Sequence, residues 1–412
     1  MAQPSFRRTQ HLNRILHSLN LDTVGGVESI FGDYLKNQES AQFEHHLMIL
    51  NRRCHPFFIA AVEQRIKSLF YAKYAGPLYL PKLMRKRWAA YRSSRLKPDV
   101  HIIYNTLDNP SAWTANQFAK TRIYYERGAA WLGSNENRAT SENIRLTHHF
   151  FCNSNAAKRV LELRYGVDPR RCDVIYNPMR LDSEGACDKA IPQNQRFRIG
   201  LAGRLIPVKG MVIALYALAE LLKRQPVFEV VIAGDGPEFE KLHEVSNHLK
   251  LGSAIQFLGV IQDMNRFYAS LDVFVCPSLR EPLGNVVIEA NGHGCPVICT
   301  EVDGLPEAIS PGFTGVCLPP LLSQADYLAL GVQGKSLPEL VYNPASECLA
   351  PPRSLSPHQL AEAIWQLFQQ PEKRAEMSKA AFKLSRERFS MEGYVKNLHA
   401  LIHKAQSGST EL

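Results

Sequence analysis

The 412-residue chain is predicted to be an α/β protein built from two doubly wound, parallel-sheet (Rossmann-like) domains facing a cleft. Three observations carry this expectation. Over the first 178 residues, short apolar runs alternate with helix-period segments, the order that parallel βαβ units require. A polar, proline-bearing stretch at 177–195 then interrupts the alternation. It resumes afterwards and runs to about residue 388. Length agrees, since ~150 residues per domain allows two or three.

The first strand is expected at 13–19 and gives way at Val24-Gly25-Gly26-Val27-Glu28 to a helix. Adjacent glycines let the main chain approach a ligand closely, although a plain tight turn uses the same residues. Further strands are expected at 45–50, 99–105, 122–126, 148–153 and 173–176. The organisation is then 1–178 as the first domain, 179–196 as linker and 197–389 as the second domain, with 390–412 as a closing helix, amphipathic over 391–404. Seven prolines and little periodicity between 319 and 357 predict an irregular insertion.

The second domain carries the most informative residues. An apolar run at 271–277 reads as a buried strand, and an apolar helix opens at about Asn285. Glu281 falls on the loop between them and Glu289 in the first turns of the helix. The backbone N–H groups of a helix N-terminus form a ready site for phosphate. Carboxylates on either side cannot bind that anion but accept hydrogen bonds from hydroxyls. Phosphate flanked by polyols describes a nucleotide sugar. Taken alone, Glu281 can also be read, with less weight, as a solvated loop residue and Glu289 as a carboxylate set against the helix dipole. Earlier in the domain, Gly203-Arg204-Leu205 and Lys209-Gly210 place two cations at a strand–helix junction. Parallel strands present their C-terminal ends on one side, so these cations face the same crevice. Gly234-Asp235-Gly236-Pro237 closes the next strand with a tight turn.

In this order, the motifs resemble the retaining glycosyltransferases of family four, which have the two-domain GT-B architecture. The resemblance covers 197 to about 315, ending with Asp303-Gly304-Leu305-Pro306-Glu307. It extends more loosely into the first half through Gly25-Gly26, Lys97-Pro98-Asp99-Val100-His101 and Asn153-Ser154. It implies that Arg204 and Lys209 hold the donor diphosphate, that Glu289 takes the ribose hydroxyls and that Glu281 takes hydroxyls of the donor sugar. It further implies that Gly203 and the backbone of Leu283, Gly284 and Asn285 line the donor site. Gly25 and Gly26 would approach the diphosphate from the opposite domain. The family works with retention of configuration and generally without a bound metal or other cofactor. Many members also place a His at a strand end beside the transferred sugar. Here either Glu126 or Arg127 takes that place or the role is not filled, and His101, one strand earlier, reads as structural. Two other classes share the architecture: a nucleotide-sugar 2-epimerase, for which no convincing acid/base set is found, and a non-catalytic binding protein. Intact Arg204, Lys209, Glu281 and Glu289 argue against the second.

Composition bounds the partners. Up to residue 190 there are 28 Lys and Arg against 17 Asp and Glu, whereas the remainder has 20 against 22. The basic excess therefore belongs to the first half. It is densest over 67–97, where Lys82, Arg85, Lys86, Arg87, Arg92, Arg95 and Lys97 interleave with Tyr71, Tyr74, Tyr79, Trp88 and Tyr91. Such a mixture suits an anionic membrane surface or glycolipid, or else is a solvated helix face. No nucleic-acid recognition motif accompanies it. The expected partners are thus a nucleotide-sugar donor, with UDP favoured, and a saccharide or glycolipid acceptor of a bacterial surface polysaccharide or lipopolysaccharide. Nine cysteines without a paired spacing point to a reducing compartment. The first residues lack the apolar core of a signal peptide, and no stretch reaches transmembrane length. The expectation is a cytoplasmic protein, peripheral on the inner face of the membrane.

Overall fold

The computed structural model describes residues 13–132, 138–180, 196–332 and 337–408. Of the expected linker, 181–195 lies outside them.

The first sheet has nine strands: β1 (Arg14–Leu21), β2 (Glu44–Cys54), β3 (Ile66–Tyr71), β4 (Tyr74–Ala75), β5 (Leu78–Tyr79), β6 (Val100–Tyr104), β7 (Thr121–Glu126), β8 (His149–Cys152) and β9 (Cys172–Val174). Their order is β5-β4-β3-β2-β1-β6-β7-β8-β9. All pairs are parallel except β3 with β4 and β4 with β5. The six strands expected from the sequence are all here. The strand β3 and the small hairpin were not foreseen, because Lys67 and Ser68 break the apolar pattern and the region reads first as charge.

A second sheet follows, all parallel: β10 (Phe197–Ala202), β11 (Phe228–Ala233), β12 (Ile255–Gly259), β13 (Val273–Cys276), β14 (Val297–Thr300) and β15 (Gly315–Leu318), ordered β12-β11-β10-β13-β14-β15. The helices Met211–Arg224 and Pro357–Gln369 cover one face with Leu215, Leu218, Leu360 and Ile364. The helix Asn285–Gly292 covers the other through Val287 and Ile288. A right-handed crossover buries both faces of such a sheet, so its strands read as continuous apolar runs.

Each sheet therefore reverses its winding once, at β1/β6 and at β10/β13. These are the switch points where open α/β sheets bind ligands, at the carboxyl ends of the strands.

Two segments tie the halves together. The helix Met391–Gly408 buries Tyr394, Val395, Leu398 and Ile402 in the core of the first sheet. The proline-rich insertion is more ordered than its composition predicts. It holds a helix, Gln324–Ala329, and an antiparallel hairpin, β16 (Val341–Asn343) with β17 (Cys348–Ala350). Tyr342 of that hairpin packs with Trp131 and Leu161 in the first domain. Tertiary packing, not local pattern, gives this stretch its order. No helix among the described residues is long and apolar enough to cross a membrane.

Candidate active site

The loop after β10 carries Gly203 and Arg204. Gly203 has φ +144°, and its carbonyl lies where a side chain on Gly234 would fall, only 1.9 Å from such a Cβ. The turn is thus built from two glycine backbones in contact, leaving Arg204 exposed at the mouth of the crevice.

The helix expected to begin near Val208 starts later, at Met211. Residues Pro207–Lys209 form a separate turn, ended by Gly210 at φ +68°. A Cβ on Gly210 would lie 2.1 Å from the carbonyl oxygen of Pro277, so only glycine allows this approach. The contact presses Lys209 against the loop after β13, where its ammonium pairs with the Glu281 carboxylate. Both side chains are largely shielded, at 24% and 13% exposed. Burial works against the Lys209 charge, but Glu281 outweighs it and holds the ammonium above its usual range. The pair lines a narrow crevice together with Ala202, Cys276, Ser278 and Val286.

Glu281 is oriented from behind. Its backbone N–H donates to Asp303 Oδ2 at 3.0 Å, and the Gly304 N–H donates to its carbonyl at 3.1 Å. Asp303 is fully buried and also accepts from Tyr342 N–H at 2.7 Å and from the indole of Trp131 at 2.8 Å. Burial raises its carboxyl to about 7 in spite of these donors.

Leu283 is buried and Gly284 has φ +97° at the start of the helix Asn285–Gly292, which no side chain caps. Glu289 lies one turn in and accepts from Tyr268 Oη–H at 2.9 Å. Burial, reinforced by Glu289, holds the Tyr268 hydroxyl protonated and therefore a donor.

The first domain meets this edge directly. A Cβ on Gly26 would lie 2.7 Å from Asn285 Nδ2, so the Gly25-Gly26 loop touches the start of that helix. Gly25 precedes the helix Gly26–Lys36 in an extended conformation. Asn177, at the start of the polar, proline-bearing stretch, is buried and donates from Nδ2 to Asn285 Oδ1 at 2.9 Å. Its own Oδ1 accepts from Arg127 Nη2 at 2.8 Å. Arg127 also donates through Nη1 to the carbonyl of Val27 at 3.2 Å. This buried guanidinium thus links the strand end of β7, the glycine loop and the opposite helix.

Glu126 is a correction. It is fully buried; one oxygen accepts from the N–H groups of Gly128 and Ala130 and the other from Tyr124 Oη–H. Both oxygens are engaged in closing the turn after β7, whereas the neighbouring Arg127 reaches across to Val27 and Asn177.

Further bonds close the back of the cleft. Ser154 Oγ donates to the Pro282 carbonyl at 2.6 Å. Glu307 accepts from the first N–H groups of the helix Asn155–Tyr165, at 2.7 and 2.8 Å, and from Tyr176 Oη–H at 3.0 Å. Asp303 and Glu307 were visible only as a trailing motif; their acidic chemistry beside glycine and proline was the available signal. Nothing local marks Asn177 or Tyr268.

Comparison with known proteins agrees with this fold. The profile described as "Glycosyltransferase Family 4" matches residues 24–183, and "Glycosyl transferases group 1" matches 188–333. A D-inositol 3-phosphate glycosyltransferase of Streptomyces bingchenggensis is 33% identical over 175 residues, 38% of either chain. The lipopolysaccharide core biosynthesis glycosyltransferase LpsE of Rhizobium meliloti is 36% identical over 102 residues, 25% of this chain and 29% of that one. The matched segments thus span well under half the length of these relatives. Among solved structures, HepE of Anabaena in complex with UDP and glucose superposes with a TM-score of 0.72 at 20% identity, covering 95% of this chain and 100% of that one. The lipopolysaccharide outer core galactosyltransferase WaaB, in its apo form, gives 0.66 at 16%, covering 95% and 99%. At these identities the likeness is one of fold. Matched in order through both halves, the chain belongs to the family-four glycosyltransferases of GT-B architecture.

Proposed function

We propose that this glycosyltransferase takes a sugar from a nucleotide-sugar donor, a UDP-sugar by preference, and transfers it with retention of configuration to a saccharide or glycolipid of bacterial surface polysaccharide or lipopolysaccharide. The observation that carries the reading is the meeting of Lys209 and Glu281 beside an uncapped helix start that Gly26 touches from the other domain. An ammonium has three N–H donors. With one on Glu281, two remain for a phosphate, and Arg204 at the crevice mouth supplies a second cation. As the bond from the sugar to the diphosphate breaks, charge grows on the leaving group, and these cations stabilise it without a metal. Glu281 accepts from the sugar hydroxyls and Glu289, with Tyr268, from the ribose. Leu283, Gly284 and Asn285 offer backbone to the distal phosphate. The UDP bound in HepE structures supports the choice of base, and LpsE and WaaB support the class of acceptor.

A thermal-shift series with UDP-, GDP- and ADP-sugars tests the donor, since ligand at a hundred times its Kd adds about 2.7 kcal/mol. A UDP-sugar is expected to raise Tm most. Proton NMR of the product then reports the anomer, and transfer in excess EDTA reports metal dependence. Inverted product, an epimerised donor without transfer, or activity restored only by Mg²⁺ would each overturn its part of the reading.

A further inference from the structure

Beyond the cleft, large apolar side chains stand in water at one corner of the first domain. Leu78 and Tyr79 on β5 are 69% and 60% exposed, and Leu83 and Met84, one turn later, are 79% and 51% exposed. They are held as one unit. Arg85 stacks over the Tyr79 ring at 4.8 Å and donates from Nε to the Leu80 carbonyl at 2.9 Å. The hairpin is braced by Tyr74 against Tyr79, with ring centroids 5.3 Å apart.

These residues lead into the helix Lys82–Leu96, whose far end is anchored. Trp88 Nε1 donates to the Tyr71 carbonyl at 3.1 Å, and Ser93 Oγ to the Ala115 carbonyl at 2.8 Å. The near end therefore projects, carrying exposed Lys82, Lys86 and Arg87. The helix has six basic residues and no acidic one. Cations in its first turn oppose the helix dipole, a cost that an anionic surface would reverse. Exposed apolar side chains ringed by cations match the two contacts that interfacial segments make, with acyl chains and with anionic headgroups.

Position adds a reason. The hairpin leaves β3 at the edge of the sheet from which the Gly25-Gly26 loop leaves β1, two strands away. The exposed tip on β5 lies two strands farther out, roughly 20 Å from that loop at the usual strand spacing. A surface touching the hairpin would lie beside the cleft.

We propose that Leu78, Tyr79, Leu83 and Met84 enter the interface of an anionic lipid bilayer, with Lys82, Lys86 and Arg87 on its headgroups, so that the cleft opens beside a lipid-borne acceptor. Only this last clause rests on the glycolipid reading above. The test is sedimentation of the full chain with vesicles of phosphatidylcholine alone or mixed with phosphatidylglycerol, without donor or acceptor. Binding is expected to the mixed vesicles only. Changing Lys82, Lys86 and Arg87 to Ser should weaken it on the order of a hundredfold, about fivefold per charge. Leu83→Ser with Met84→Ser should weaken it by about tenfold or more and abolish the part that persists in high salt. Equal sedimentation with both vesicle types, or a variant that sediments like the wild type, would overturn the proposal. The Tm shift given by a UDP-sugar should be unchanged in both variants. Its absence in every form, with vesicle binding intact, would remove the donor reading and leave the docking surface standing.

Discussion

The two sheets share a winding and each has an apolar core, but the first threads a buried polar network through its core. Between its helices the second sheet buries Ile199, Leu201, Val230, Ile232, Val273, Val275 and Ile298, all apolar. The first places imidazoles and phenols on its central strands. His17 contacts Tyr104 Oη at 3.1 Å and His45 at 3.0 Å; His45 reaches the Ser40 carbonyl at 2.8 Å; and Ser18 pairs with His101 at 2.6 Å. An aliphatic core is non-directional and indifferent to pH. A polar one specifies geometry but depends on each ring staying neutral.

Acid is the strongest way to break this comparison. Burial lowers His45 to about 4, lowers His101 to about 3, and holds His17 well below its ordinary 6.5. For a base with a depressed folded value, the unfolded chain takes up the proton first, so stability is lost as pH falls below 6.5. His45 and His101 together should cost about 4 kcal/mol by pH 5. Asp303 has the opposite sign. Its carboxyl, raised to about 7, contributes stability that is present at low pH and lost as pH rises through 7, so the contacts around it should gain about 2 kcal/mol between pH 7 and 5. Urea unfolding followed by hydrogen exchange in each sheet should show the first weakening at pH 5 and the second not. Equal weakening would erase the distinction.

The next largest effect belongs to the donor side. Lys209→Ala should lower turnover by about a hundredfold or more and Arg204→Ala by ten- to a hundredfold, since each loses a charge-assisted bond to the leaving group, worth about 1.5–3 kcal/mol. Wild-type rates in both variants, measured with the true donor, would move the diphosphate site elsewhere. On the other domain, Glu126→Gln should act on stability. It sets an amide against backbone N–H groups and should cost about 1–3 kcal/mol, lowering Tm while the folded enzyme keeps its rate. A large rate loss at unchanged Tm would return Glu126 to the cleft. The smallest effect sharpens the donor side further. Glu289→Gln should weaken free UDP by about tenfold, whereas Glu281→Gln should leave UDP almost unchanged and lower the rate. Equal losses of UDP affinity would contradict the separate roles.

Legibility followed the same division. The second domain was readable because its candidate site is made of short strand–turn–helix units. In these, Gly203, Gly210 and Gly284 announce close approaches of main chain, and charge follows at fixed offsets. In the first domain the strands were readable from periodicity, except β3, whose Lys67 hides it. Its side-chain roles were not. Glu126 and Arg127 are neighbours of similar polarity, and only the turn after β7 decides which is consumed by local backbone donors and which reaches Val27 and Asn177.

By itself the sequence determined the two-domain plan, the strands that carry it and the set of charged residues at the second switch point, because hydrophobic period and turn chemistry are local. It also held the basic, aromatic stretch whose exposed apolar tip became visible only once the hairpin and helix were placed. Tertiary structure alone decided which groups meet. Lys209 and Glu281 are 72 residues apart, and Asn177 and Asn285 are 108 apart. Tyr342, in a stretch that composition marks as irregular, supplies an N–H to Asp303. Such pairings depend on how one domain is set against the other, a relation between distant surfaces that no window of neighbouring residues contains.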